Sequence, residues 1–168
     1  MKIQIYLAHA LTDASEAYRA RMIALRNAIE AIPNVEVLRF AWIDGQGTDK
    51  TVENIYQHDI VRATNCHLFV AVTDVFSGGV GMELQTRCKM RRPLRVFFPK
   101  GQKLSRMITD CIEYHRLNAD SSISHSELYR ISLDTMPAPI EYTNDDEIVW
   151  EVSDWVRQHW HGRPSTRS

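Results

Sequence analysis

The stretch that most constrains this chain is His67-Leu68-Phe69-Val70-Ala71-Val72, in which five successive apolar residues follow the histidine and lead within a few positions into Ser77-Gly78-Gly79-Val80-Gly81. A strand with one wet face would alternate. An unbroken apolar run bounded by turn residues is the pattern of a central parallel strand covered on both faces. Such a strand requires helices on either side of the sheet, and the flanking sequence supplies them.

Residues 2–8 read as an opening strand, and Asp13 stands where a helix N-cap is wanted. Tyr18, Met22, Leu25, Ile29 and Ile32 follow at spacings of four and three, one helical stripe that stops before Pro33. Val35, Val37 and Phe40 suggest a second strand, residues 44–49 a polar loop, and 51–64 a second helix. Beyond the glycines, 80–90 reads as a helix, 94–98 as a buried strand stopped by Pro99, and 104–112 as a helix. Ile148, Val152, Trp155 and His159 trace a last amphipathic helix, ended by Gly162 and Pro164. Residues 113–139, which include Pro137 and Pro139, yield no more than an inserted loop with room for a short helix. Strands alternating with helices imply right-handed crossovers. The expected architecture is a flavodoxin-like (Rossmann-like) three-layer α/β sandwich with a parallel sheet of about five strands, in one domain over 1–162 with a disordered tail at 163–168.

With 168 residues and a formal net charge of −1, the chain has no basic field to hold a nucleic-acid backbone, so polymeric DNA or RNA is not expected as a partner. No apolar stretch approaches the roughly 20 residues that cross a bilayer, and the first residues lack a signal-peptide core. The odd set Cys66, Cys88 and Cys111 suits a reducing compartment, and a cytoplasmic location without membrane association is expected. His159 and His161 fall on different helical faces, so they form no metal pair.

In an open parallel sheet, ligands lie beyond the carboxyl ends of the strands, which directs attention to the loops after residues 8 and 72. Gly78, Gly79 and Gly81 let backbone approach a ligand and turn its N–H groups toward an anion, and Ser77 adds a hydroxyl; a phosphate is the natural guest, although a plain tight turn has the same composition. The loop has neither the Lys-Ser/Thr ending of a P-loop nor a dinucleotide fingerprint. Glu83 is expected in the first helical turn, where the dipole keeps a carboxylate ionised and nucleophilic; a simple N-terminal charge cap is the alternative. Asp59, three residues after Tyr56, shares a partly buried face that suits a proton donor, or else pairs with Arg62. Two carboxylates in different environments are what glycosidic chemistry needs.

At these residues the sequence resembles the nucleoside 2-deoxyribosyltransferase superfamily, over roughly 2–112 and most strongly over 59–83, with Leu104-Ser105-Arg106-Met107-Ile108 as a second match. Within it, the branch of 2′-deoxynucleoside 5′-phosphate N-hydrolases is the most similar. The resemblance implies that Glu83 attacks or stabilises C1′, that Tyr6 orients Glu83, and that Asp59 assists departure of the base. Ser77 stands where the transferases typically carry an aspartate and the hydrolases a phosphate-binding serine. Ser105, supplied by a neighbouring subunit, would also touch phosphate, which implies a homodimer; no metal or organic cofactor is implied. The first loop departs from the pattern. His9 and Thr12 replace a glycine and an arginine, so the phosphate clamp there falls to His9 and the backbone near Ala8, while His9 equally reads as a structural histidine bonded to its own loop. Gln85 also replaces a glycine of the family. The reading that results is hydrolysis of the N-glycosidic bond of a (deoxy)nucleoside 5′-monophosphate. Base exchange by deoxyribosyl transfer and a non-catalytic nucleotide-sensing module are the alternatives.

Overall fold

A computed structural model describes residues 2–11, 14–38, 55–75, 77–117 and 136–160. Its elements run β1 (Ile3–Ala8), α1 (Glu16–Glu30), β2 (Val35–Leu38), α2 (Ile55–Asn65), β3 (Leu68–Val72), α3 (Gly78–Lys89), β4 (Leu94–Pro99), α4 (Arg106–Leu117), β5 (Ile140–Tyr142) and α5 (Asp145–Trp160). The five strands form one parallel sheet in the order β2-β1-β3-β4-β5. This is the expected three-layer α/β architecture, with its topological switch between β1 and β3.

Side-chain alternation assigns each strand residue to one of two cores. Ile3, Ile5 and Leu7 of β1 and Leu68, Val70 and Val72 of β3 face Met22, Leu25 and Ile29 of α1 and Ile148, Val152 and Trp155 of α5. Tyr6, Ala8, Phe69 and Ala71 point to the opposite face, against Ala63 of α2, Val80, Leu84 and Cys88 of α3, and Ile112 of α4. The second face is the one that carries the site, because it brings the β1 tyrosine beneath α2 and α3.

Several boundaries differ from the sequence reading. Ser15 is the N-cap of α1, its Oγ accepting from the Tyr18 amide at 3.2 Å; Asp13 lies outside the described residues, as do Thr12 and the loop at 44–49. Helix α3 begins at Gly78, two residues earlier than expected, and α4 continues to Leu117 into the stretch read as an insertion. The fifth strand, unplaced by the sequence, is Ile140–Tyr142 directly after Pro139. The remainder of that insertion, 118–135, and the tail at 161–168 lie outside the described residues. Among the described residues no helix is long and apolar enough to cross a membrane.

Candidate active site

Tyr6 projects from the middle of β1, fully buried and stacked on Phe69 with ring centroids 5.7 Å apart. Its hydroxyl donates to Glu83 Oε1 at 2.9 Å. Glu83 is the sixth residue of α3, in the second turn rather than the first, and is 8% exposed. The expectation that the helix dipole keeps it ionised is therefore corrected. Burial pushes its carboxyl up to about 7; the Tyr6 hydrogen bond opposes that rise and the negative charge of Asp59 adds to it. The Tyr6 phenol is itself driven far above its ordinary range, by burial first and then by the charges of Glu83 and Asp59, so it remains a donor. Asp59 stands on α2 with its side chain 14% exposed and Oδ1 2.9 Å from His58 Nδ1. Its negative charge acts on both Tyr6 and Glu83.

The glycines are not in a loop ahead of the helix but in its first turns. Among Gly78, Gly79, Gly81 and Gly101, only Gly101 has a positive φ. A Cβ at Gly78 or Gly81 would meet nothing within 4 Å, and one at Gly79 would meet only Ser77 Oγ at 3.6 Å. What they provide is bare helix surface, not an unusual backbone. Ser77 occupies the N-cap position in extended conformation, and its hydroxyl makes no capping hydrogen bond. An amino end without a side-chain cap keeps N–H groups and positive dipole available to an anion.

Ser77, Gly78 and Gly81 line a hollow of about 490 Å³ between α3 and α4, together with Ser105, Lys103, Met82 and Met107. Ser105 sits just ahead of α4, its carbonyl accepting from the Ile108 and Thr109 amides at 3.0 and 3.2 Å. Tyr6, Asp59 and Glu83 are not in the walls of this hollow. The sequence-derived residues thus form two groups on different sides of α3: the acids and tyrosine toward α2, the serines toward α4. Ala8 ends β1, buried and paired with Ala71. His9 follows it, its ring edge-on to Tyr18 and its Nδ1 3.1 Å from the Ala10 carbonyl. That contact requires the proton on Nδ1, and burial lowers the pKa of the ring.

Two features escaped sequence reasoning. Arg87, one helical turn beyond Glu83 on the same face, is fully buried and donates to the carbonyls of Ala63, Thr64, His67 and Pro93 at 3.0 to 3.2 Å. It joins the end of α2 to the starts of β3 and β4. Its one sequence signal is an arginine within the core stripe of Val80, Leu84 and Cys88. At the carboxyl edge of the sheet, Arg21 of α1 bonds Asp74 after β3 and Tyr142 and Asp145 at the end of β5 and the start of α5, two segments far from it in the chain that no spacing rule links to it. Among the described residues no group of three His, Cys, Asp or Glu side chains is placed to hold a metal ion.

Fold and site together define a doubly wound α/β protein with a buried tyrosine–carboxylate pair at the β1/β3 switch point. A conserved protein of Enterococcus faecalis V583 has this fold, with a TM-score of 0.57 and 15% identity over 92% of this chain and 99% of that one. The CMP N-glycosidase BcmB of Clostridium botulinum has it too, with a TM-score of 0.51 and 15% identity over 90% and 98%. At that identity the likeness is one of fold. No family model matches the sequence, and no curated protein matches it.

Proposed function

We propose that this chain is a nucleotide N-glycosidase that hydrolyses a (deoxy)nucleoside 5′-monophosphate to free base and (deoxy)ribose 5-phosphate. The observation that carries the reading is the buried Tyr6–Glu83 hydrogen bond with the charge of Asp59 acting on both groups, since glycosidic cleavage draws on two carboxylates in different environments. Ionised Glu83 faces the positive charge that develops at C1′ as the C1′–N bond breaks. Water supplies the hydroxyl that C1′ retains, and Asp59 passes the proton that water gives up to the departing base, so that the carboxylate is left as it began. Tyr6 holds Glu83 in place. On this reading the nucleotide passes around the amino end of α3, from the acids on its α2 side to Ser77 and the glycine-rich first turn, which receive the 5′-phosphate with Ala8 and His9 at the end of β1. The fold shared with a protein whose name states that it cleaves CMP supports this class of reaction, as does the resemblance to the nucleoside 2-deoxyribosyltransferase superfamily.

A homodimer in which Ser105 completes the neighbouring phosphate site rests on the superfamily resemblance; within one chain Ser77 and Ser105 line the same hollow, whose rim of half-exposed Met82 and highly exposed Met107 is the face a second copy would cover. Incubation with each ribo- and deoxynucleoside monophosphate, followed by chromatography for free base, tests the proposal. Release of base from at least one of them is expected. No release from any, with the fold intact by circular dichroism, defeats the hydrolase reading; a new nucleoside on addition of free acceptor base identifies a transferase.

A further inference from the structure

Arg21 lies half-buried on α1 and reaches three elements at once. Its Nε donates to both carboxylate oxygens of Asp145 at 3.1 and 3.0 Å, its Nη2 to the Tyr142 hydroxyl at 2.7 Å, and its Nη1 to Asp74 Oδ2. Tyr142 in turn donates to the other oxygen of Asp74, and the Arg21 guanidinium lies 5.5 Å from the centre of the Tyr142 ring. Asp74 is therefore held at both oxygens, and its side chain is 13% exposed. The backbone at this point is fixed as well: the Thr73 amide and hydroxyl both donate to the Phe97 carbonyl at 2.9 Å, and Gln102 Nε2 donates to the Asp74 carbonyl at 3.2 Å.

Asp74 stands three residues before Ser77, on the segment that leads from β3 into the amino end of α3. Ser77 has no side-chain capping bond of its own, and Asp74 is the nearest residue ahead of it held by side-chain hydrogen bonds among the described residues. A single cation between two carboxylates is also a specific latch, because a lysine's point charge cannot satisfy Asp145, Tyr142 and Asp74 in a fork.

We infer that Arg21 and Tyr142, acting through Asp74, are positioning residues for the phosphate-receiving Ser77 turn. This rests on the nucleotide N-glycosidase reading. The test compares Tyr142→Phe and Asp74→Asn with the unaltered enzyme, measuring kcat and KM for the monophosphate that is cleaved, the inhibition constant of inorganic phosphate and that of the free base. A turn displaced by a fraction of an ångström should raise KM and the phosphate inhibition constant on the order of ten-fold, with kcat and inhibition by the free base changed less than about two-fold. Tyr142→Phe keeps the ring in the core, so it decides the matter should Asp74→Asn fail to fold. Equal losses against phosphate and base, or no change in either, overturn the inference while leaving the glycosidase reading intact. Failure of the unaltered protein to release base from any nucleotide overturns both.

Discussion

Glu83 loses most of its hydration on folding, and the carboxyl that titrates near 4.5 in the open chain moves to about 7. A carboxyl whose folded pKa is raised holds its proton in the native state longer than in the unfolded one, so stability is greatest below 4.5 and falls as pH rises through 7. The shift corresponds to roughly 3 kcal/mol at full expression. Glu83→Gln, which still offers an oxygen to Tyr6, should abolish base release and make the protein more stable than the parent at pH 8 but not at pH 4, as read by urea titration. In the proposed reaction only the ionised form faces C1′, so kcat/KM should rise with pH along a limb centred near 7. A profile flat between pH 5 and 9 would remove Glu83 from the reaction. For His9 the proton on Nδ1 is directed to Ala10, so a neutral ring offers a lone pair at its other nitrogen, and clamping of phosphate by His9 requires its protonation.

Helix α3 carries its cost in its own sequence. Glycine is about 1 kcal/mol worse than alanine in a helix interior, and Gly81 has neither a positive φ nor a neighbour that forbids a methyl group. Gly81→Ala should raise the melting temperature by about 2–4 °C while raising KM for the monophosphate; an unchanged KM would mean that the bare surface serves no ligand. Arg87 binds the other end of the helix to its surroundings. Arg87→Met fills much of the same volume but removes five hydrogen bonds to four carbonyls, of which those of Ala63, Thr64 and Pro93 keep another donor, and a loss of about 2 kcal/mol in urea unfolding is expected. The same helix explains where sequence reading stopped. Its glycines disfavour helix, so propensity alone starts it at Val80, and docking against β1 and α4 overrides that preference. Arg87 stayed hidden because arginine belongs to the exposed class unless its partners are known, and those partners are backbone carbonyls brought together by the fold. In β3, α1 and α5 the apolar period was long enough to be decisive. In β5 three residues after a proline offer no period at all.

Between α3 and α4 a mostly apolar hollow opens to the surface beside Met107, 83% of which is exposed. If a second copy covers it, sedimentation should give twice the mass of one chain, and Met107→Lys should yield monomers that have lost most of their activity. A monomeric parent with full activity would confine Ser105 to its own chain's hollow. The parallel doubly wound class was legible because alternating strands and helices admit few windings; Glu83 and Asp59 stood out by residue type and helical spacing, and Tyr6 only through the superfamily resemblance. The Arg21 latch was not, since Arg21, Asp74 and Asp145 come from the first, middle and last parts of the chain and meet only across the finished sheet.

The bond between Tyr6 and Glu83 joins residues 77 positions apart across the point where the winding reverses direction. No fragment that lacks either β1 or α3 can contain it, and a chain emerging from the ribosome acquires it only after its first half is out. On the glycosidase reading, base release then becomes a reporter of complete assembly: in a denaturant titration, turnover and backbone ellipticity should vanish at one midpoint, leaving no stage at which a partly built molecule still works.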